Sequence, residues 1–476
     1  MLRNRLVVRH VRLHIRGMEC ESGTGACKGS VRYNNLCLWQ GVSRPGKEGR
    51  IPMKEQSSRR ELKWSRLDNT ANLFPVIATE RMTNVYRLSL TLDEEIDPGL
   101  LQQALDKILP LFDSMNVRLR TGAFWYYFET NRKPAPGVER ESEYPCRKME
   151  PQLNNQYLFR VSYYKKRINL EVFHVLADGM GGMTFLKELT CQYLRLAHPE
   201  ICDEVGDHLS EQTSLNTEDS YLKNFRKGQP KGYKSQPAFH MNGEKLRDGA
   251  FGVIQGYLPL AQIKEAAHHR NVSINEYLAG VYVYSIYREY LHGAVSDKPV
   301  VLCVPVNLRP YFESITTRNF FAMVSAALRP DREDYTRDEV EQIVVTALRE
   351  QINKEHLEKL FSYNVSNQKN LMLRAVPLVL KKFVMQWVYQ VSARATTTTM
   401  TNLGVMKVDK AYQSYIKRFA ASLSVSQGQN TKMTVCSYGD EMVVSFCTIL
   451  KDVSVQKRFF RILAEDGIKA AVESNL

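Results

Sequence analysis

Between residues 85 and 92 the chain alternates: Tyr86, Leu88, Leu90 and Leu92 are apolar, and Arg87, Ser89 and Thr91 are polar. That period of two predicts a strand with one face buried. Asp97-Pro98 follows as an N-cap with proline at the first helical position, and Leu100, Leu101, Ala104, Leu105, Ile108 and Phe112 then recur at helical spacing. Residues 117–120 and 124–128 read as further strands, and 157–165 and 168–176 as a hairpin about a basic turn that lacks the usual Asn-Gly. In its second arm Ile168, Leu170 and Val172 alternate with Asn169 and Glu171, which puts His174 on the apolar face, pointing inward. Asp178-Gly179, with Gly181 and Gly182 behind it, is turn chemistry. Met183, Leu186, Leu189, Tyr193 and Ala197 then return to helical spacing, so a helix packs back over the strand it follows.

Residues 199–247 carry no stable period, and their basic run at 226–234 reads as a solvated loop. The expected organisation is therefore a first lobe over 59–200, a linker or crossover over 201–247 and a second lobe over 248–476. In the second lobe Ser273 with Glu276 and Thr336 with Glu339 are capping boxes, opening helices to about residues 290 and 355. Tyr282, Tyr284, Tyr287 and Tyr290 are assigned to packing. Strands are expected at 299–305, 397–408 and 443–449, with a basic helix at the end. Residues 371–391 are apolar with Arg374, Lys381 and Lys382 interspersed, and read as a core or interface helix in preference to one lying on a bilayer. The whole is an α/β pattern.

Composition narrows the class. At 476 residues and 43% hydrophobic content the chain can bury a large core, and no apolar run approaches the roughly 20 residues of a membrane-spanning helix. Its nine cysteines are scattered without a Cys-x-x-Cys, which argues against a disulfide framework or a metal cage and fits a reducing cytoplasm. Of the net charge of +14, residues 1–52 hold +7. The Arg-rich, acid-poor start has a presequence-like composition, and residues 1–58 are expected to be a basic extension outside the fold, with Met53 as an alternative start. With half the excess there and no helix-turn-helix, zinc-finger or RNP signature, nucleic-acid binding is not expected.

The candidate chemistry lies in 171–183. A buried imidazole needs partners for both ring nitrogens; tying one to a carboxylate or carbonyl leaves the other to take a proton from a hydroxyl or amine. His174 is thus a candidate base. The competing reading is a satisfied core histidine followed by an aspartate that caps a helix. His174-Val-Leu-Ala-Asp178-Gly179 resembles the His-x-x-x-Asp-Gly motif of the superfamily of chloramphenicol acetyltransferase, alcohol acetyltransferases, wax ester synthases and peptide-synthetase condensation domains. The resemblance covers most of the chain from about residue 64. Val306-Asn-Leu-Arg309-Pro310, Arg318-Asn319-Phe320 and Thr401-Asn402-Leu403-Gly404 resemble segments of alcohol acetyltransferases. Phe173 stands where condensation domains carry an additional histidine, and the Asp-Phe-Gly-Trp-Gly string of the plant BAHD enzymes is missing; both departures favour the alcohol acetyltransferase branch.

The resemblance implies two α/β lobes with mixed sheets and an active-site channel between them. It also implies transfer of an acyl group, acetyl in that branch, from acyl-CoA to an alcohol or amine. His174 would be the catalytic base, Asp178 its structural support beside Gly179, and Arg309 the partner of Asp178. Thr401 and Asn402 are candidate contacts for the oxyanion or acceptor. No serine or cysteine sits in a nucleophile elbow, so direct transfer without an acyl-enzyme is expected. A carrier-protein thioester remains an alternative donor, and a non-catalytic binding module an alternative use of the fold. No metal, no tightly bound cofactor and no membrane-spanning segment is expected; peripheral membrane contact is left open.

Overall fold

The computed structural model describes residues 63–201, 218–227, 236–369 and 375–476. The expected N-terminal extension, and about half of the expected linker, lie outside the described residues. Three sheets organise the rest.

The first sheet has the order β12-β2-β7-β6-β5. It comprises β2 (Val85–Leu92), β5 (Glu139–Arg140), β6 (Phe159–Tyr164), β7 (Arg167–Phe173) and, from far along the chain, β12 (Ile416–Leu423). The hairpin of β6 and β7 forms as its pattern predicts, with Lys165 at φ 50° in the turn where asparagine or glycine is usual. The helices Pro98–Ile108 and Gly179–Ala197 cover the apolar face, where Phe112, Phe159 and Phe185 meet edge to face. Asp97 caps the first helix, its side chain accepting from the amides of Gly99 and Leu100.

The polar face is not solvated, contrary to the simple alternation. Arg87, Asn169 and Glu171 are buried, and Glu171 accepts from Arg87, Arg160 and the Cys146 amide. Burial pushes the Glu171 carboxyl up, but the two guanidiniums and the amide outweigh it and hold it below the ordinary value. Alternation reports chemistry, and chemistry satisfied by ion pairs can be buried on both sides.

The second sheet is mixed, with the order β10-β9-β11-β13-β14-β8-β15. Its strands are β8 (Gly252–Pro259), β9 (Val300–Asn307), β10 (Phe321–Leu328), β11 (Thr398–Val405), β13 (Thr431–Tyr438), β14 (Glu441–Thr448) and β15 (Ala471–Ser474). The helices Ile274–Tyr290, Arg337–Gln351 and Ser454–Glu465 share its core, and both predicted capping boxes form. Tyr282 and Tyr287 are fully buried, their hydroxyls bonded to Thr398 and the Gly293 carbonyl. The last helix stops at Glu465 and the chain ends in a strand. The third sheet, β1 (Trp64–Arg66), β4 (Tyr126–Thr130) and β3 (Val117–Thr121), is small.

The apolar side chains form two large clusters, one around each main sheet. Strand β12 lies within the span expected for the second lobe but pairs with β2, register Phe419↔Leu90, and buries Phe419 in the first cluster. The chain thus crosses between the sheets after β11. The helix Leu378–Ala393 packs one face on the first cluster through Leu378, Met385 and Tyr389, while Phe383 and Trp387 on its other face are 67% and 66% exposed.

Candidate functional site

Strand β7 ends at Phe173, and His174 is the first residue beyond it, its amide donating to the Asn84 carbonyl at 2.9 Å. The ring is clamped by aromatics. Phe74 stacks on it at 4.6 Å between centroids, Tyr86 meets it edge-on at 5.2 Å, and Phe321 lies at 5.8 Å. Burial lowers the imidazole's pKa from its ordinary value; Asp178 and hydrogen bonds to Asn319 and its own backbone oppose this, and Lys432 adds to it. A neutral ring at pH 7 follows.

A chain of side chains fixes which nitrogen carries the proton. Nδ1 lies 3.0 Å from Asn319 Oδ1, and Asn319 Nδ2 donates to Asp68 Oδ2 at 2.9 Å. Asp68 also accepts from the Ala71 amide through Oδ1. An ionised carboxylate only accepts, so Asn319 must turn its NH2 to Asp68 and its oxygen to His174. Nδ1 then holds the proton, and Nε2 keeps its lone pair. The histidine's own carbonyl is within reach of Nδ1 alone, and no described residue hydrogen-bonds Nε2. Asp68 and Asn319 are both buried, and burial pushes the Asp68 carboxyl up to about 7 against the pull of its two hydrogen bonds.

Asp178 is both a helix cap and an ion-pair partner. Oδ1 accepts from the Gly181 amide at 3.1 Å and Arg309 Nη2 at 3.0 Å; Oδ2 accepts from Arg309 Nη1 and the Phe320 amide, both at 2.9 Å. With four donors and no bond to the imidazole, both its oxygens are committed. Arg309, only 12% exposed in its side chain, also donates to Asn307 Oδ1 and the carbonyls of Thr316 and Arg318. The pair therefore ties the loop after β9 to the start of the helix Gly179–Ala197. The glycines permit the approach: a Cβ at Gly181 would run into the Thr317 carbonyl, and one at Gly182 into the Tyr86 hydroxyl. Arg309→Lys, a point charge that cannot make the fork, is expected to cost about 2 kcal/mol of stability in denaturant titration.

These groups surround a cavity of about 480 Å³, the size of a small-ligand site. His174, Asp178, Gly179, Thr401 and Asn402 line it together; Arg309 stands behind, touching Asp178. Asn402 spends its side-chain oxygen on the Gly404 amide at 2.8 Å, which leaves Nδ2 as a donor. The lining is mostly apolar, and Lys432 is its one lysine or arginine among the described residues. Burial pulls that ammonium down to about 8, and it donates to Ser426. Sequence reasoning missed Lys432, Asp68 and the role of Asn319. Only Asn319 left a signal, standing inside the recognised Arg318-Asn319-Phe320 string.

No family model matches the chain, and no curated protein matches it in sequence. Solved structures do match in shape. TRI101 of Fusarium sporotrichioides, complexed with Coenzyme A and T-2, superposes with a TM-score of 0.61 at 10% identity, covering 86% of this chain and 99% of that one. The trichothecene 15-O-acetyltransferase TRI3 of the same fungus gives 0.52 at 11%, covering 85% and 94%. The condensation domain of the monacolin K polyketide synthase MokA gives 0.53 at 9%, covering 85% and 96%. At such identities the likeness is one of fold. The chain thus has the α/β fold that these acetyltransferases and this condensation domain share.

Proposed function

We propose that this chain is an acyltransferase that moves an acyl group, acetyl by the resemblance of its motifs, from acyl-CoA to an alcohol or amine in one ternary complex. The observation that carries the reading is an imidazole with Nδ1 tied to Asn319 and no described hydrogen-bond partner on Nε2, lining an apolar cavity. The bound Coenzyme A and T-2 of TRI101 support a CoA thioester and a small acceptor. In the reaction, Nε2 takes the acceptor's proton as its oxygen or nitrogen attacks the thioester carbonyl. Thr401 Oγ1 and Asn402 Nδ2 are proposed donors to the oxyanion. Collapse breaks the C–S bond, and the imidazolium returns the proton to the leaving thiolate, so one residue serves both steps. Arg309 and Asp178 hold the loop and helix that frame the cavity. The test is thiol release from acetyl-CoA across a panel of alcohols and amines, with an acylated carrier protein as the competing donor; no release with any CoA thioester would overturn the donor assignment.

The pH profile follows from two groups. Catalysis needs His174 neutral, its pKa lowered from the ordinary value by burial, and Asp68 ionised, with a pKa of about 7. The rate is therefore expected to rise with pH through this range and to level off above about 8. Lys432→Met removes a positive charge that disfavours imidazolium, so it should move the His174 limb to higher pH.

A further inference from the structure

The helix Leu378–Ala393 presents Leu380, Phe383, Val384, Trp387, Val388 and Val391 to solvent, none less than 46% exposed. Together with Val379 they form one apolar face along the helix, more than the scattered single apolar side chains that a soluble monomer usually leaves bare. The opposite face is fixed to the first lobe. Its first amide donates to the Ala123 carbonyl, Lys381 donates to the Phe124 carbonyl and sits 3.5 Å over the Trp125 ring, and Gln386 donates to the Val76 carbonyl. The face is thus held outward by a rigid inner side.

Charge selects the occupant. The helix and the residue after it, 378–394, carry Lys381, Lys382 and Arg394 and no acidic residue. Lys382 lies over the Tyr126 ring beside the patch, and Arg394 is exposed at the helix end. Apolar and aromatic side chains beside cations, without an acid, are complementary to an anionic lipid surface. Residues 1–52 carry +7, a like charge, and a second copy would bring the same cations face to face. At 16 residues the helix is about 24 Å long, short of a roughly 30 Å hydrocarbon core, so a membrane contact would be along its side and not across a bilayer.

We propose that the exposed face of the helix Leu378–Ala393 docks the protein on an anionic phospholipid surface. Tyr389, Ser392 and Ala393 of the same helix line the His174 cavity, so docking brings that cavity to the bilayer. The docking itself does not depend on the acyltransferase reading.

Flotation of the full chain with vesicles tests it. Vesicles of phosphatidylcholine with about 30% phosphatidylglycerol are expected to carry the protein at low salt, and pure phosphatidylcholine at least about tenfold less. Phe383→Gln with Trp387→Gln should lower binding about tenfold or more, with circular dichroism and melting temperature unchanged, since both side chains are exposed. Failure to float with anionic vesicles, or equal flotation of the double variant, overturns the proposal. A wild-type dimer that the double variant dissolves, without vesicle binding, assigns the face to a second copy and overturns it also.

Discussion

His174→Ala is expected to lower acceptor-dependent thiol release from acyl-CoA by about 10²- to 10⁴-fold, the usual worth of a positioned general base. The loss should fall on turnover more than on KM, because the ring's proton transfers belong to the transition state. No other lining group is placed to substitute. Asp178 has both oxygens committed to four donors, and Lys432, with a pKa of about 8, is largely protonated at neutral pH. The variant also opens a gap between Phe74, Tyr86 and Phe321, so its melting curve must be recorded beside its rate. His174→Gln keeps more of the volume and should be as slow. A rate that survives in a folded variant removes His174 as the base, whatever the fold.

What the sequence revealed of this site was local, and what it hid was distant. His174, Asp178 and Gly179 stand within six residues, where a strand ends and a helix begins, and periodicity with turn chemistry is enough to place them. Arg309 entered through resemblance, and its pairing with Asp178 spans 131 residues. The bonds that set the imidazole's proton span 145 residues to Asn319 and a further 251 to Asp68, separations that no spacing rule reaches. Strand β12 shows the same limit: no strand is read over residues 416–423, and its place in the first sheet is decided by edge pairing with β2. The helix Leu378–Ala393 shows another. Apolar spacing reports what a face is made of, not what covers it: Leu378, Met385 and Tyr389 pack on the first cluster as a core or interface helix would, while Phe383 and Trp387 face outward.

Asp68→Asn is expected to cost about 10³- to 10⁴-fold in turnover without lowering stability at pH 8, a combination that a merely structural residue would not give. The substituted amide meets the Ala71 amide proton with its oxygen, so it turns an NH2 toward Asn319. Asn319 must flip to accept, and its own NH2 then faces Nδ1 of His174. Nδ1 becomes the acceptor, the proton moves to Nε2, and the lone pair leaves the cavity; a wrong histidine tautomer carries a penalty of that size in serine proteases. Stability runs the other way. The folded Asp68 binds its proton more tightly than the unfolded chain, about 7 against 3.8, so the wild type loses stability as pH climbs through that window. Asparagine has no charge to bury, although it also withdraws a favourable neighbour from buried Arg318, so the melting temperature at pH 8 should hold or rise. The activity limb near pH 7 should vanish in the variant. Exchanging the pair, Asp68→Asn with Asn319→Asp, restores a carboxylate oxygen to the Nδ1 proton and an NH2 to that carboxylate, and should recover most of the rate. If the single variant keeps its turnover, or the exchange rescues nothing, the proton on His174 is not set by this chain of bonds.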